Sequence, residues 1–577
     1  MKRYTWLLIG VLLALTALVG GAGAAEDSAV PAQSETVTAG GEFPIGPFEG
    51  DKGSPSAEMD AGGNMIVAWG YDDVFFQRLS PTGAPLGIPI QVNTTSSDIV
   101  WPTDIAADAA GNFVVIWSNV YPDKEVRGRC YAADGSPRSP EFAVAAGGYR
   151  EESAAVEMAP DGAFVVVWTQ AQPYPASDQI NGRRFSAACA PLGEPFLFND
   201  IDTGDEYYPD IAMDAAGNFL VAWVGVDEDG QGVFARYFDH GGAPRGGQFR
   251  VNQRQQFSQL SPSVGMDAAG NAVIAFESAV ARIGSDYNWD VLARRYAADG
   301  TPVGDVFNPR GPNPHVEYSP EVVVAPTGRF AITWTTTFNS LFQRDVWLRT
   351  YEANGVPVGP ARPVVIAEWY NSPAILAAGS GDTFLAAWVT SLVGGEPLTG
   401  RLFNFGEVVA PQVLIPTHDT YVMEQRPNAT YGARPVLQVK NARNAPTDVH
   451  AYLKFDVSGL SGAVDSATLR LQVKKAGLDG GLAYAVSPFY QGTTTPWLET
   501  GLTWNNAPPV ESFYPQDEWP GRVSRRQWVE LDVTGAVRAA LAGDGQVSLV
   551  ITNNSTKPVS FGSSESPQSP QLVIIMK

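Results

Sequence analysis

Side chains able to act as general acids and bases form no recognisable catalytic motif in this chain. A hydrolase or lyase needs an acid and a base that converge on one bond. The best candidates lie on two segments, His315, Glu317 and Tyr318 on one and Asp205 and Glu206 on the other. No Gly-x-Ser-x-Gly elbow, phosphate loop or His-Glu-x-x-His stretch occurs. We predict no catalytic residue, and a secreted polysaccharide lyase or glycoside hydrolase is the alternative.

Neither the histidines nor the recurring aspartates have the spacing of a metal site. The four histidines show no metal-ligand spacing; they are His240, His315, His418 and His450. An aspartate recurs before a glycine turn at four places, Asp60, Asp108, Asp214 and Asp267. Calcium loops present several oxygen side chains at alternate positions, whereas each of these is followed by alanine. The pattern therefore predicts a capped hairpin turn, in which glycine accepts a positive φ.

The turn belongs to a repeat that occurs seven times. Its closing aromatics are spaced by 48 to 58 residues, at Trp69, Trp117, Trp168, Trp223, Phe276, Trp334 and Trp388. A period near 50 residues is typical of propellers and solenoids. A complete copy contains an alternating segment, an apolar run, a segment of the Arg-Arg-Tyr type and a short segment of the Phe-x-Val-Asn type. Four such strands predict one propeller blade.

The two ends of the repeat array distinguish a ring from a solenoid. The seventh copy lacks the Phe-x-Val-Asn segment, whereas Gly41–Ile45, ahead of the first copy, resembles Gly247–Val251. An N-terminal strand that completes the last blade removes two open sheet edges. We therefore predict an all-β chain with a seven-bladed β-propeller over residues 41–410, closed by this strand, and a separate domain over 411–577.

The N-terminus and the cysteines bear on localisation. Met1-Lys2-Arg3, an apolar run to Val19 and Ala22-Gly23-Ala24 predict a signal peptide over residues 1–24, followed by a linker over 25–40. The apolar run is shorter than the ~20 residues that span a bilayer. We expect a secreted protein, extracellular or at the cell surface. The two cysteines, Cys130 and Cys189, are predicted to be free thiols, with a single bridge as the alternative.

Charge is distributed unevenly along the chain. The formal net charge is −23, yet residues 411–577 hold as many basic as acidic side chains, so the excess belongs to residues 1–410. An acidic body of this kind is repelled by nucleic acid and by anionic membranes. Neither nucleic acid binding nor membrane insertion is expected.

The last third of the chain carries a different set of motifs. These are Tyr452-Leu-Lys-Phe-Asp-Val457, Ser466-Ala-Thr-Leu-Arg-Leu471, Trp497-Leu-Glu499 and Thr503-Trp-Asn-Asn-Ala-Pro508. Together they resemble the DNRLRE-type β-sandwich domain, a carbohydrate-binding module family whose studied members are associated with alginate-degrading enzymes. The resemblance covers residues 414–577 and implies a jelly-roll-like sandwich that binds carbohydrate.

Strand alternation predicts a binding face on this domain. Leu453, Phe455, Leu469 and Leu471 alternate with polar residues, which therefore point outward. If these strands are neighbours in one sheet, the outward residues form a basic face suited to the carboxylates and hydroxyls of an acidic polysaccharide. The predicted carbohydrate-binding residues are Lys440, Tyr452, Lys454, Arg470, Gln472 and Lys474. Plain solvation of a sheet face is the alternative for each of them.

Other polar and aromatic residues of this domain have structural interpretations. Trp497 and Trp504 lie inside the family motif, and we expect buried packing rather than sugar stacking. Asp419 and Glu565 are candidates for a structural Ca²⁺ site, and no other cofactor is expected. The leading hypothesis is a secreted, non-catalytic protein whose propeller is an interaction platform and whose sandwich attaches to a polysaccharide or cell-surface glycan. A protein-binding adhesin, with a protein partner on the propeller, is the third interpretation.

Overall fold

The computed structural model describes residues 41–576, apart from short segments that mostly connect strands. These segments are 47–52, 71–72, 95–99, 120–124, 145–150, 173–175, 201–203, 229, 254–255, 284–285, 312–315, 338–343, 359–360, 366–371, 391–396, 406–411, 442–446, 511–514 and 520–521. The predicted signal peptide, the linker, His315 and the domain boundary at 410–411 lie outside the described residues. Apart from one helix, the regular structure described is β-strand, so the all-β class is confirmed. No helix in the described part is long and apolar enough to cross a membrane.

The repeats form seven four-stranded antiparallel sheets. The chain begins with β1 (Glu42–Ile45). Sheets 1 to 3 are β2 (Gly53–Met59), β3 (Met65–Gly70), β4 (Val74–Leu79) and β5 (Ile90–Gln91); β6 (Val100–Ala107), β7 (Phe113–Asn119), β8 (Val126–Tyr131) and β9 (Phe142–Ala143); and β10 (Glu151–Met158), β11 (Phe164–Gln170), β12 (Gln179–Phe185) and β13 (Phe196–Leu197). Sheets 4 and 5 are β14 (Tyr207–Met213), β15 (Phe219–Asp227), β16 (Gly230–Phe238) and β17 (Phe249–Arg250); and β18 (Gln259–Met266), β19 (Ala272–Ile283), β20 (Asp286–Tyr296) and β21 (Pro302–Phe307). Sheets 6 and 7 are β22 (Val316–Val324), β23 (Phe330–Thr337), β24 (Arg344–Tyr351) and β25 (Arg362–Val365); and β26 (Ile375–Ala378), β27 (Thr383–Val389) and β28 (Leu398–Asn404) with β1.

The N-terminal strand completes the last sheet, as the sequence predicts. β1 runs antiparallel to β28, with Glu42 opposite Arg401 and Ile45 opposite Leu398. Phe43 and Ile45 are buried, and the Phe43 ring lies against Gly83 and Gly400. The first strand of each sheet packs against the first strand of the next, and β26 of sheet 7 packs against β2 of sheet 1.

The first hairpin turn of the repeat is capped by its aspartate. Asp214 Oδ1 accepts hydrogen bonds from the backbone N–H of Ala216 and of Asn218, each at 2.9 Å. Its Oδ2 accepts one from Asn218 Nδ2 at 2.8 Å, and Gly217 has a φ of 80°. The same pattern recurs at Asp60, Asp108 and Asp267. The turn interpretation is confirmed, because these oxygens are engaged by the turn itself.

Arginines of the third strands join neighbouring sheets. Arg236 of β16 donates to the backbone oxygen of Phe198, in the preceding sheet, at 3.1 Å, and its guanidinium lies 5.6 Å from the ring centre of Phe238. Arg129, Arg183, Arg294 and Arg349 make equivalent bonds to the preceding sheet. The Arg-x-aromatic motif therefore has a structural role that explains its repetition.

The two cysteines form a disulfide, so the prediction of free thiols is wrong. Cys130 at the end of β8 is bonded to Cys189, in the turn that follows β12. The two residues are 59 positions apart in the chain but lie on adjacent sheets, with their Cα atoms 6.6 Å apart. The repeat places equivalent turns side by side, a proximity that sequence separation does not show.

We expect loss of this disulfide to destabilise the protein. Replacing Cys130→Ser and Cys189→Ser together should lower the free energy of unfolding by about 2–4 kcal/mol, because the bond closes a long loop in the unfolded chain. Urea unfolding of the variant and of the reduced wild type should coincide. Two titratable thiols in the unfolded, unreduced wild type would contradict the pairing.

The C-terminal part is a sandwich of two sheets. Its elements are β29 (Gln412–Leu414), β30 (His418–Met423), β31 (Val436–Val439), β32 (Val449–Asp456), β33 (Val464–Lys475), β34 (Gly481–Ala485), β35 (Asp517–Trp519), β36 (Trp528–Asp532), α1 (Thr534–Ala542), β37 (Gln546–Thr552), β38 (Val559–Gly562) and β39 (Gln571–Met576). One sheet has the order β29-β39-β33-β38-β31, with β36 also paired to β33, and the other β30-β32-β37-β34-β35. The predicted inward residues Leu453, Phe455, Leu469 and Leu471 are all fully buried in the core between them.

Candidate functional site

The polar face of β33 gathers half of the predicted binding residues. Leu469, Leu471 and Val473 are fully buried, whereas Arg470, Gln472 and Lys474 alternate with them and are half-exposed on the outer side. Trp528 and Glu530 of β36 pair with Gln472 and Arg470, and Gln571 of β39 pairs with Arg470 on the other side. We call the outward side chains Arg470, Gln472, Lys474, Trp528, Glu530, Gln568 and Gln571 the β33 face.

Contacts within this face orient its two cations. Arg470 Nε lies 2.9 Å from Glu530 Oε1, its Nη1 donates to Gln571 Oε1 at 3.2 Å, and its guanidinium is 4.9 Å from the Trp528 ring centre. Lys474 Nζ donates to Gln472 Oε1 at 3.1 Å and to Gln568 Oε1. An ion pair as exposed as the one between Arg470 and Glu530 contributes ~1 kcal/mol or less to the stability of the fold. A carboxylate of a ligand can therefore compete with Glu530 for Arg470 at little cost.

Lys440 follows β31, but both of its backbone hydrogen bonds join it to Val449 of β32, in the opposite sheet. It follows Val439, and its Nζ donates to Thr447 Oγ1 at 2.9 Å. The strand order places β38 between β31 and β33. The structure thus brings Arg470, Gln472 and Lys474 to one sheet, whereas Lys440 lies where that sheet meets the opposite one.

Tyr452 and Lys454 lie on the opposite sheet, so the assumption that all six residues share one outer face is wrong. Both are only 3% exposed. Lys454 Nζ donates to the backbone oxygens of Trp497 at 2.7 Å and of Pro488 at 3.0 Å, and Tyr452 OH donates to that of Pro508 at 3.0 Å. Alternation identified the side of the strand correctly, but residues 488–508 cover that side. Burial also lowers the pKa of Lys454 to about 8.

Trp497 and Trp504 make packing contacts, as the sequence predicts. Trp497 is fully buried, donates from Nε1 to Ser548 Oγ at 3.1 Å, and stacks beneath the Lys454 ammonium at 4.3 Å. Trp504 is half-buried, and its ring centre lies 5.0 Å from that of His450. These contacts hold the covering segment on the sheet.

Three carboxylates of this domain meet at one place. Asp419, Glu499 and Glu565 each offer an oxygen within 4.8 Å of the others. The sequence analysis named Asp419 and Glu565 but missed Glu499, which comes from a distant part of the domain sequence. Burial, with the negative charges of Glu565 and Glu499, raises the pKa of Asp419 to about 7. Oxygen ligands suit Ca²⁺, and Ser564 already donates to both oxygens of Asp419. Calcium binding here stays a prediction.

The acid–base candidates of the repeats hold sheets together. Glu317 is fully buried and accepts a hydrogen bond from the backbone N–H of Val291, in the preceding sheet, at 3.1 Å. Asp205 accepts one from the N–H of Asp178 at 3.2 Å. Glu206 is fully buried and Tyr318 is half-exposed. The carboxylates of Glu317 and Asp205 thus make contacts between neighbouring sheets.

A cavity of about 840 Å³ lies among the first strands of the seven sheets. Five half-buried carboxyl groups face it and were missed by the sequence analysis; they are Glu58, Asp104, Glu157, Asp210 and Glu321. Asp104 Oδ2 accepts a bond from the N–H of Val156 at 2.8 Å, and Asp210 Oδ2 accepts one from the N–H of Val264 at 2.7 Å, each in the next sheet. A sequence pattern could have identified these five residues. Each lies two or four positions before the aspartate that caps the first hairpin turn, or before the alanine that replaces this aspartate in other copies of the repeat.

Desolvation dominates the ionisation of these carboxyl groups. Burial raises the pKa of Glu58 to about 8, that of Glu321 to about 8 and that of Asp210 to about 7. Burial also raises the pKa of Glu157 well above its usual value, and the negative charge of Glu58 adds to the shift. Below these values the groups are neutral carboxylic acids, which both donate and accept hydrogen bonds.

Comparison with known proteins supports a carbohydrate-binding module in the C-terminal region. Residues 410–576 match the model of Carbohydrate-binding module family 96. No curated protein matches the chain.

Similar solved structures are remote. A polysaccharide lyase of family PL25, an ulvan lyase bound to a GlcA–Rha3S unit, is 11% identical with a TM-score of 0.43 over 63% of this chain and 96% of that one. A fungal alcohol oxidase of the AA5 family in complex with copper is 12% identical, with a TM-score of 0.39 over 94% and 100%. An α-L-arabinanase of Penicillium chrysogenum is 10% identical, with a TM-score of 0.36 over 64% and 99%. At these values the likenesses carry no argument about activity.

Proposed function

We propose that this chain is a secreted, non-catalytic polysaccharide-binding protein whose sandwich binds an acidic polymer through the β33 face. The seven sheets form a closed seven-bladed β-propeller that acts as a rigid platform for the sandwich. The family match over residues 410–576 supports the polysaccharide-binding part and is the observation that carries the proposal.

The chemistry of the β33 face supports an acidic ligand. Arg470 offers a planar fork of donors to a carboxylate, and Lys474 adds a second positive charge on the same strand. Gln472, Gln568 and Gln571 surround them with amide groups that suit sugar hydroxyls. Trp528 presents an aromatic ring beside Arg470. Because these groups bond mainly to one another, a ligand exchanges those bonds without leaving a buried charge unpaired.

Two observations favour the non-catalytic and secreted parts of the proposal. The acid–base candidates Glu317 and Asp205 bond to backbone groups of neighbouring sheets, which leaves them poorly placed to transfer protons to a substrate. The Cys130–Cys189 disulfide fits an oxidising compartment outside the cytosol.

Removal of both cations should abolish most binding. We expect the full chain carrying Arg470→Ala and Lys474→Ala to bind polyuronate such as alginate at least about tenfold more weakly, because two charge-assisted contacts are lost. Isothermal calorimetry with wild type and variant measures this, and added NaCl should weaken wild-type binding by screening.

A matched control removes the same charge elsewhere. Lys557→Ala with Arg245→Ala changes two exposed cations outside the β33 face and should leave affinity unchanged. Equal weakening by both pairs would indicate a general charge effect and contradict the assigned face. Release of unsaturated or reducing ends from polysaccharide by the wild type would replace the proposal with the enzymatic alternative.

A further inference from the structure

The first strands of the sheets share a backbone irregularity at one end of the cavity. β2, β6, β10, β14, β18 and β22 each have a register shift at the same place in the repeat. At five of these bulges a residue other than glycine has a positive φ; they are Ser54, Ser153, Tyr208, Ser261 and Ser319. The positive φ is therefore a property of this position in the repeat, and serine occupies the position in four sheets.

Tyr208 departs from this pattern in a way that the fold does not require. Its side chain is 52% exposed and lines the cavity together with Ser54 and Ser153. A left-handed residue with a Cβ is strained whether it is serine or tyrosine, so the larger side chain brings no relief of strain. Tyr207 packs against Tyr208 edge to face, with ring centres 5.0 Å apart. The neighbouring ring thus holds an exposed aromatic side chain in a defined orientation at the cavity entrance.

The walls of the cavity behind Tyr208 combine carboxyl groups with apolar side chains. Its described lining residues include Asp210, two residues along the same strand, and the carboxyl groups of Asp104 and Glu321, but no lysine or arginine. Its volume falls within the ~300–1,000 Å³ of small-ligand sites. An anionic sugar would find no cation among these residues to pair with its charge, and residues 1–410 also carry the whole acidic excess of the chain.

We propose that this cavity is a second binding site, for an uncharged sugar chain that stacks a ring on Tyr208 and directs its hydroxyls to the carboxyl groups of the first strands. An aromatic ring beside groups that donate and accept hydrogen bonds matches the two surfaces of a sugar, its apolar ring face and its hydroxyl edge. The site lies outside the sandwich and prefers the opposite ligand charge from the β33 face. It goes beyond the proposed function and stands or falls separately from it.

The repeat itself supplies the variant for a test. Tyr208→Ser installs the residue that four equivalent bulges already carry, so the fold should tolerate it. Calorimetry near pH 6 with the full chain would use hexasaccharides of β-1,4-linked glucose, mannose and xylose as probes. We expect the wild type to bind at least one, Tyr208→Ser to weaken that binding roughly tenfold, and Tyr208→Phe, which keeps the ring, to retain it.

Controls separate this site from the β33 face. Arg470→Ala with Lys474→Ala should leave binding of the uncharged probe unchanged, and Tyr208→Ser should leave polyuronate binding unchanged. The proposal would be overturned if the wild type bound none of the three probes. It would also be overturned if the Tyr208→Ser variant bound a probe as tightly as the wild type does. Tighter binding of spermine than of any uncharged hexasaccharide would also overturn it, since the cavity would then select cations.

Discussion

A chain that lacks residues 1–45 is expected to unfold far more readily than one that lacks residues 1–40. The longer deletion removes β1, which pairs along its whole length with β28 and buries Phe43 and Ile45. The loss exposes the backbone edge of β28 and leaves a gap against Gly83 and Gly400. Phe43→Ala alone should cost about 3–5 kcal/mol, the usual range for a buried phenylalanine.

Thermal unfolding and limited proteolysis measure the difference between the two deletions. The chain that lacks residues 1–40 is the matched control, because it keeps β1 and removes only residues ahead of it. We expect early proteolytic cuts in sheet 7 of the shorter chain. Identical melting of the two chains would show that the pairing of β1 with β28 contributes nothing and would contradict the proposed closed propeller.

The stability of the protein is expected to fall as the pH rises from about 4 to about 8. A carboxyl group with a raised folded pKa binds its proton more tightly in the folded than in the unfolded chain, so its contribution is lost as the pH climbs toward the folded value. Burial raises the pKa of Glu58 and of Glu321 from 4.5 to about 8, and that of Asp210 from 3.8 to about 7. Glu157 and Asp104 shift in the same direction. At 1.36 kcal/mol per pKa unit, a shift of this size in a single group corresponds to a loss of several kcal/mol.

Urea unfolding near pH 5.5 and near pH 8.5 checks this dependence. Outside the cavity, burial also raises the pKa of Glu151 and of Asp419 to about 7, so only part of the slope belongs to the cavity. Glu58→Gln with Glu157→Gln removes two of the five cavity carboxyl groups, because amides do not ionise, and should make the dependence less steep. The assignment of this pH dependence to the cavity carboxyl groups would be refuted if the double variant lost stability with pH as steeply as the wild type. It would also be refuted if the wild type were more stable at the higher pH.

Lys474 and Lys454 show what strand alternation in the sequence could and could not predict about the sandwich. Both lysines alternate with core residues, and alternation identified the outward side of each strand. Lys474 is half-exposed on the β33 face, whereas Lys454 is covered and bonded to the backbone of Trp497 and Pro488. Which strands share a sheet, and which loop covers it, depends on pairings between distant residues that a period of two does not encode.

Local chemistry in the repeats was more informative. Asp214 with Gly217 specifies its turn by bonds within four residues, and the missing last strand predicted the pairing of β1 with β28. The Cys130–Cys189 bond and the meeting of Asp419, Glu499 and Glu565 were missed or only partly seen. Each joins residues whose proximity follows from the packing of sheets and loops.

The amino-acid sequence by itself determined the repeat, its turns, the strand that completes the last sheet and the division of charge between the two parts, because these depend on short-range periodicity and composition. Only the tertiary structure decided which cations face solvent, which carboxyl groups share a cavity and which aromatic side chain stands at its entrance. Those properties arise when segments distant in the chain are packed together, and the burial and charge of each group then follow from its neighbours in space.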